Sequence, residues 1–236
     1  MVFRPHPPVS AESPLKFLAS STMPMQATRL IAIRHGETAW NVDTRLQGHL
    51  DIPLNSKGFW QAAQVARALA SEPIDVVYSS DLLRAWQTAN AIAFATKAPL
   101  IANTGLRERG FGSFEGKTYA EIATEWPEQS ELWRKRVPDW APPGGESLLA
   151  MRERVASTVD TLAAQHIGGQ IVLVAHGGVM DILYRLATGQ DLQAPRSWHL
   201  GNAAINRLLW TPDGLTLVGW ADTGHLEETT LDETSA

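Results

Sequence analysis

Short apolar runs alternate with amphipathic stretches along most of the chain. Four of the runs are rich in branched side chains and bounded by polar residues, which is typical of buried β-strands. These four runs cover residues 30–33, 74–79, 99–103 and 171–175. Two further runs, 205–210 and 215–220, flank Pro212-Asp213-Gly214, a turn sequence that predicts a closing hairpin.

Helices are predicted between these strands, because apolar residues recur there every three or four positions. One helix is expected after Ser56 and another after Ser80, and Thr118 with Glu121 has the spacing of a capping box that opens a third. The longest, 147–166, has an apolar face made of Leu148, Met151, Val155, Val159 and Leu162. Strands that alternate with helices predict an α/β layered domain with a largely parallel centre.

The two ends of the chain lack this pattern. Residues 1–28 are rich in Pro and Ser, so we interpret them as a loosely attached tail, with Met23 or Met25 as alternative translation starts. Residues 226–236 form an acidic tail, and one domain is predicted over 29–225. No stretch reaches the roughly 20 apolar residues of a membrane span, and no secretory signal is recognisable. We therefore expect a cytoplasmic protein that has no membrane partner.

The composition narrows the classes of ligand. The 236 residues include no cysteine, which excludes a disulfide framework and any Cys-ligated zinc or iron–sulfur site. The formal net charge is −5 and no basic run follows the pattern of a phosphate-backbone contact, so no nucleic-acid partner is expected. An anionic ligand must therefore be held by local arginines.

Polar residues follow three of the predicted strands. Arg34-His35 ends the first strand, Arg84 lies in the first helical turn after the second, and His176-Gly177-Gly178 follows the strand at 171–175. Ligands of open α/β sheets bind at the carboxyl ends of the strands, so we expect these groups to meet at one edge. Arginine matches phosphate oxygens, and helices that begin near 80 and 178 direct backbone N–H groups to the same region. The sequence therefore predicts a site for a tetrahedral dianion.

A histidine within an anion site indicates chemistry as well as binding, because neutral imidazole is a nucleophile. His35 could attack a phosphoryl group that Arg34, Arg84 and protonated His176 hold. The departing oxygen then needs a proton, which Glu108 or Glu115 could supply, since a carboxyl beside a dianion favours its protonated form. Glu108 lies nearer to the preceding strand. Glu115 follows two glycines and is interpreted as a mobile surface carboxylate.

Five stretches resemble, in order, the motif set of the histidine phosphatase superfamily, in its phosphoglycerate-mutase-like branch. They are IRHGETAWN, SSDLLRAWQTA, LRERGFGSFEGKT, PGGES and VAHGG, and the resemblance runs from about 29 to 222. It implies a three-layer α/β/α sandwich around a mostly parallel sheet with one antiparallel strand. It also implies that His35 is the phosphorylated nucleophile and Glu108 the proton donor. The phosphoryl-binding residues it implies are Arg34, Arg84 and His176, with Asn41; Gly177 is added because a missing side chain lets a ligand approach the backbone.

The activity that the resemblance implies is phosphomonoester hydrolysis on small phosphorylated metabolites, with release of inorganic phosphate and without a metal or other cofactor. Phosphoglycerate mutase is the alternative. Cofactor-dependent mutases carry a later arginine pair and a Tyr-Gly-Ala-Leu-Gln-Gly type stretch, whereas this chain has RGFGSFEGKT and only Arg134-Lys135-Arg136 for the extra charge. The phosphatase type is therefore favoured. The sequence is compatible with a monomer or a homodimer.

The sequence argues against two other classes of protein. A metallohydrolase could use His35, His176 and Glu108 as ligands, but two arginines would repel a dication and the H-E-x-x-H helix is absent. A catalytically inactive binding protein would be expected to lose the nucleophile or the proton donor, and both are present.

Several further residues are assigned structural roles. The other histidines are expected to be hydrogen-bonded structural residues: His6, His49, His166, His199 and His225. A solvated basic face is expected of Arg109, Lys117, Arg134, Lys135 and Arg136. The tryptophans of a loop-rich stretch, Trp126, Trp133 and Trp140, either pack together or contribute one member to the substrate mouth.

Overall fold

Six strands form one sheet in the computed structural model, which describes Met1 and residues 27–227. The strands are β1 (Thr28–Arg34), β2 (Val76–Ser79), β3 (Leu100–Ala102), β4 (Gln170–Ala175), β5 (Ile205–Thr211) and β6 (Gly214–Asp222). They are arranged in the order β3-β2-β4-β1-β5-β6. The strands β1 to β4 are parallel, whereas β5 is antiparallel to both of its neighbours. The predicted strands and the one antiparallel member are confirmed.

Helices connect the strands. They are α1 (Ala39–Val42), α2 (Ser56–Leu69), α3 (Leu83–Thr96), α4 (Tyr119–Glu125), α5 (Pro127–Arg134), α6 (Leu148–Ala164) and α7 (Gly177–Thr188). Thr118 and Glu121 make the predicted capping box at α4. The sequence did not predict α1 or α5, which are short. Along the described residues, no helix has both the length and the apolar character that crossing a membrane requires.

Both faces of the sheet are covered, which makes the three predicted layers. Ile31 and Ile33 of β1 belong to a core that includes residues of α2 and α3. Leu30 and Ala32 point to the opposite face and belong to a core that includes residues of α6 and α7. A strand that is buried on both faces has no polar side to alternate with, which explains the continuous apolar runs.

The first strand begins inside the segment that was predicted to be a tail. Thr28 is fully buried, and its hydroxyl donates a hydrogen bond of 2.7 Å to the carbonyl of Ala163 in α6. The predicted boundary between residues 28 and 29 therefore lies one residue too late, because Thr28 is already part of the folded domain. Residues 2–26, with Met23 and Met25, and residues 228–236 lie outside the described part of the chain.

A small aromatic core stands apart from the two large ones, beside the carboxyl end of the sheet. Phe114 is fully buried at its centre. Its ring centroid lies 5.4 Å from that of Trp126, 5.6 Å from Trp133 and 6.1 Å from Trp140. These tryptophans therefore pack together, and they hold α4, α5 and the adjoining loops over one end of the domain.

Candidate active site

Three neighbouring strands bring the predicted site residues together. In the order β2-β4-β1, Ser79 pairs with Val174, and Arg34 pairs with Ala175. The residues that follow each strand therefore emerge side by side, and the amide of His35 still donates to the carbonyl of Ala175 at 2.9 Å. The ring centroids of His35 and His176 lie 5.2 Å apart. The prediction that these strand ends lie side by side is confirmed.

A cavity of about 380 Å³ opens at this edge of the sheet. The sequence assigns seven residues to catalysis or phosphate binding. Six of them line the cavity: Arg34, His35, Asn41, Arg84, Glu108 and Gly177. His176, the seventh, is fully buried beside His35. The Oδ1 atom of Asn41 accepts a hydrogen bond from the backbone of Thr38 in the cap of α1, which leaves the Nδ2 side of the amide for the cavity.

The hydrogen bonds of His35 define its tautomer. Its Nδ1 atom lies 2.7 Å from the carbonyl oxygen of Gly36, which can only accept, so Nδ1 carries the proton and Nε2 is a free acceptor. Burial, followed by the charges of Arg84 and Arg34, lowers the pKa of His35 well below its ordinary value. His35 is therefore a neutral imidazole, which is the state a nucleophile needs.

His176 is oriented by a serine of the neighbouring strand end. Its Nε2 atom lies 2.8 Å from Oγ of Ser80, whereas Nδ1 is buried and has no partner among the described residues. Burial, followed by the charge of Arg84, lowers the pKa of His176 well below its ordinary value. The protonated state expected from the sequence therefore requires the negative charge of a bound ligand.

Backbone carbonyls hold the two arginines. Arg84 donates to Leu50 at 2.9 Å and to Gly48 at 2.8 Å, and Arg34 donates to the carbonyl of Leu200. The Nε–H groups of both arginines are buried without a partner in the described structure. Burial is the main cause that lowers the pKa of Arg84 to about 10, so it stays cationic at neutral pH. The two Nε–H groups, together with Nδ1 of His176 when that ring is protonated, can donate to an anion that offers several acceptor oxygens.

Glu108 is fixed at the N-terminus of α7. Both of its carboxylate oxygens accept from the backbone N–H of Gly178 at 3.1 Å, and Oε1 also accepts from Arg109 at 2.8 Å. A Cβ atom on Gly178 would lie 2.2 Å from Oε1 of Glu108, so only glycine leaves room for this contact. A Cβ atom on Gly177 would lie 3.5 Å from Arg34, an ordinary contact. The sequence predicts a close approach at Gly177 and Gly178, and at Gly178 the geometry requires a glycine.

A half-buried ion pair holds the segment that carries Glu108. Arg154 of α6 makes two hydrogen bonds to the carboxylate of Glu146, at 2.8 and 2.7 Å. The same guanidinium donates to the carbonyls of Gly105 and Arg107. Glu146 belongs to the PGGES stretch, to which the sequence analysis assigned no role. Through Arg154 it holds the backbone next to Glu108 in place.

Comparisons with known proteins agree with this geometry. Residues 30–223 match the family model of the histidine phosphatase superfamily, branch 1. The chain belongs to this superfamily. It is similar to phosphoglycerate mutase-like protein 4 of Arabidopsis thaliana, with 38% identity over 204 residues that cover 85% of this chain and 87% of that protein. It is also similar to metal-independent phosphoserine phosphatase of the same plant, with 34% identity over 224 residues that cover 94% and 92%.

A solved structure extends the likeness to three dimensions. The mycobacterial glucosyl-3-phosphoglycerate phosphatase, in complex with VO3, superposes with a TM-score of 0.74 at 33% identity. The alignment covers 83% of this chain and 99% of that one. The resemblance expected from the five motifs is thereby confirmed, and the fold is that of the histidine phosphatase superfamily.

Glu115 differs from its sequence-based interpretation in one respect. It does not line the cavity, as expected of a residue outside the chemistry. However, its Oε1 atom accepts from the backbone N–H groups of His49 at 3.0 Å and Phe111 at 3.1 Å. The expectation of a mobile carboxylate is therefore wrong, because Glu115 joins two loops of the cavity wall.

The predicted basic face divides into two groups. Lys117, Arg134 and Lys135 pair with glutamates near the surface, as expected. Arg109 and Arg136 line the cavity instead. Arg109 is only 6% exposed, donates to the carbonyl of Glu146 and lies over the ring of Trp133, which itself lines the cavity. The sequence could not place them, because the loops that carry them have no periodicity.

Three of the remaining histidines take structural roles, whereas His199 is exposed and its ring makes no hydrogen bond within residues 27–227, so the role expected of it is wrong. The ring nitrogens of His49, His166 and His225 are hydrogen-bonded to Glu108, Tyr78 and Ala203, respectively. His6 lies outside the described residues. Over residues 27–227, no group of three His, Asp or Glu side chains has the arrangement of a metal site.

Proposed function

We propose that this protein hydrolyses phosphomonoesters of small metabolites through a phosphohistidine formed on His35. One observation carries the proposal. A neutral histidine, whose Nε2 atom makes no hydrogen bond within residues 27–227, lies in a cavity beside the Nε–H groups of Arg34 and Arg84 and Nδ1 of His176, which are buried without partners in the same part of the chain. A phosphoryl group supplies the acceptor oxygens that these groups need, and it also supplies the electrophile that the imidazole would attack.

In the first step, Nε2 of His35 forms a bond to phosphorus while the ester P–O bond breaks. The leaving oxygen takes a proton from Glu108, whose carboxyl is held at the N-terminus of α7 by the backbone N–H of Gly178. The dianion favours the protonated form of His176, so this residue would add positive charge beside the arginines. The N–H groups of the site are already oriented, so little reorganisation is needed as charge develops.

In the second step, water replaces the histidine. The carboxylate of Glu108, now ionised, accepts a proton from water as the water oxygen bonds to phosphorus. The N–P bond breaks, inorganic phosphate leaves, and His35 returns to its neutral tautomer through the hydrogen bond to Gly36. Every atom that the cycle needs comes from the ester, water and these side chains, so we expect hydrolysis to persist in EDTA. We further propose that the reaction takes place in the cytoplasm.

The test is a panel of phosphomonoesters with phosphate release as the readout, for the wild type and His35→Ala. We expect the variant to lose turnover while circular dichroism stays unchanged. His166→Ala is the matched control, because His166 bonds Tyr78 outside the cavity. Label from substrate should be trapped on the wild type as acid-labile, base-stable phosphohistidine. Hydrolysis by His35→Ala at the wild-type rate would refute the covalent mechanism.

Phosphoglycerate mutase is the second candidate. Arg109 and Arg136, together with Arg196, add cationic groups to the cavity, and a relative carries the name phosphoglycerate mutase-like protein 4. Relatives that are named phosphatases favour hydrolysis. The two activities separate with 3-phosphoglycerate, assayed with and without 2,3-bisphosphoglycerate. Formation of 2-phosphoglycerate faster than inorganic phosphate would replace our proposal with the mutase.

A further inference from the structure

His49 contacts the segments that carry two of the groups proposed for the reaction, Arg84 and Glu108. It follows Gly48, whose carbonyl accepts a hydrogen bond of 2.8 Å from Arg84. The ring of His49 reaches the other segment, where its Nε2 atom lies 2.9 Å from the main-chain carbonyl oxygen of Glu108. Because a carbonyl oxygen can only accept, Nε2 carries the proton and is the donor. His49 therefore joins the phosphoryl-binding side of the site to the proton-donor side.

The peptide group between Gly48 and His49 is held at both of its polar atoms. Its carbonyl oxygen accepts from Arg84, and its N–H donates to Oε1 of Glu115 at 3.0 Å. Gly48 has a φ of +50°, and a Cβ atom at this position would clash with the carboxylate of Glu115, so the close approach requires a glycine. The main chain of His49 is therefore fixed independently of its side chain, and a substitution of that side chain should leave the contact with Arg84 in place.

The hydrogen bond from His49 differs in kind from the bonds that hold the carboxylate of Glu108. Those bonds come from the backbone N–H groups of Gly178 and Arg109, and they are strongest while the carboxylate is charged. Glu108 must be protonated in order to act as an acid, and the two bonds are then weaker. The bond to its main-chain carbonyl does not depend on that proton. The other donor to this carbonyl, Arg154, lies at 3.4 Å, which is long for a hydrogen bond. His49 is therefore the main anchor of the protonated acid on this side.

The loop that carries His49 keeps its shape through other bonds. Leu46 exchanges main-chain hydrogen bonds of 2.8 and 2.9 Å with residues 116–117. The carboxylate of Asp51 accepts from the first N–H group of α3 at 2.6 Å. His49 itself is exposed, and in the described part of the chain it is not among the residues that line the cavity. Its ring is therefore neither needed for the loop nor in contact with a substrate, and what it adds is the bond to the proton donor.

We propose that His49 is a positioning residue for proton transfer. Through its Nε2–H group it keeps the protonated carboxyl of Glu108 aligned with the phosphoryl group that Arg84 binds. The inference rests on the proposed hydrolysis at His35 with Glu108 as the acid, and it adds a residue that acts on the reaction without touching the substrate. A displacement of about 1 Å in a reacting group can cost roughly 10²-fold in rate, so loss of this bond should slow the step that needs the proton.

Two variants separate the hydrogen bond from the rest of the side chain. The amide nitrogen of glutamine reaches about as far from the main chain as Nε2 of histidine, so His49→Gln can still donate to the carbonyl of Glu108. The amide of asparagine ends nearer to the main chain, at the position of Nδ1, so His49→Asn loses the bond. Both variants keep the backbone N–H that donates to Glu115. His166→Asn is the matched control, because His166 bonds Tyr78 outside the cavity.

The assay measures kcat for p-nitrophenyl phosphate and for the alkyl phosphate that the wild type hydrolyses fastest, together with inhibition by vanadate. We expect His49→Asn to lower kcat by about 10- to 100-fold for the alkyl ester and by less than about threefold for p-nitrophenyl phosphate, since only the alkoxide needs the proton. Inhibition by vanadate should be unchanged, because main-chain carbonyls hold Arg84. His49→Gln should retain most of the wild-type kcat. Equal loss on both esters, no loss in His49→Asn, or the same loss in His49→Gln would each overturn the proposal.

A double-mutant cycle tests whether His49 acts through Glu108. In a Glu108→Gln background there is no proton to position, so adding His49→Asn should lower kcat for the alkyl ester by less than about twofold. Losses that multiply would show that His49 acts independently of Glu108 and would overturn the proposal. Failure of the two proposals can be distinguished. If the wild type releases phosphate from no ester, the hydrolysis itself is wrong. If Glu108→Gln slows alkyl esters selectively and His49→Asn does not, only the role of His49 is wrong.

Discussion

Glu108→Gln separates proton donation from substrate positioning, because the amide keeps the shape of the side chain and removes its acidic proton. The structure indicates that the side chain will stay in place. Oε1 of Glu108 accepts from Gly178 at 3.1 Å and Arg109 at 2.8 Å, and an amide oxygen at the same position can accept both bonds. The Arg154–Glu146 pair behind the segment is untouched. The change should therefore act on the chemistry rather than on the fold.

The magnitude depends on the leaving group. General acid catalysis contributes typically about 10²–10⁴-fold, which corresponds to roughly 3–5 kcal/mol of transition-state stabilisation. An alkyl phosphate releases a strongly basic alkoxide and should lose this whole factor in kcat. p-Nitrophenyl phosphate releases a phenolate that leaves without a proton, so we expect its loss to stay below about tenfold.

The assay compares kcat for the two substrates in the wild type, Glu108→Gln and Glu115→Gln. The last variant is the control, since Glu115 bonds the amides of His49 and Phe111 and lies outside the cavity. It should change both substrates by the same small factor. An equal loss on both substrates in Glu108→Gln would refute the reasoning, because Glu108 would then position phosphate or water without donating a proton.

Three further outcomes are expected. Arg84→Ala should lower kcat/KM by about 10²–10³ and weaken inhibition by vanadate, whereas Arg67→Ala, at an exposed position of α2, should not. A change of less than threefold, roughly, in Arg84→Ala would exclude Arg84 from the phosphoryl site. Gly178→Ala should displace Glu108, whose Oε1 would lie 2.2 Å from the new Cβ, and should slow alkyl phosphates more than p-nitrophenyl phosphate; equal slowing would contradict this. The pKa values of His35 and His176 are lowered in the folded state, so below pH about 6.5 the unfolded chain binds more protons than the folded one. The free energy of unfolding should therefore decrease as the pH is lowered in this range, by up to about 1.4 kcal/mol per pH unit for each histidine. Urea titrations between pH 5.5 and 7.5 measure this slope, which the double variant His35→Gln, His176→Gln should flatten.

Local patterns in the sequence predicted the scaffold of the site. The strand ends at Arg34-His35 and His176 could be recognised because a buried strand must change from apolar to polar residues where it leaves the core. The capping box of Thr118 and Glu121 is equally local, since both residues lie in one helical turn. Such features depend on a few neighbouring residues, so a single sequence contains them.

The cavity wall could not be predicted in the same way. Arg109 was expected on the surface and is buried because Glu146 and Trp133, remote in sequence, fold against it. Asp181 lies on α7, and its pairing with Arg136 spans 45 residues. These positions depend on how non-periodic loops close over the sheet, and no local rule encodes that closure.

The two arginines proposed to bind the phosphoryl group are anchored in a way that affects how such a protein changes over evolutionary time. Arg84 is held by the main-chain carbonyls of Gly48 and Leu50, and Arg34 by that of Leu200. A point mutation in either loop replaces a side chain but leaves these carbonyls in the chain, so the arginines keep their partners as long as the loop keeps its shape. Gln47 and Arg196, from the same loop regions, line the cavity with their side chains. New substrates can therefore be explored by drift at these wall positions while the reaction centre is inherited intact.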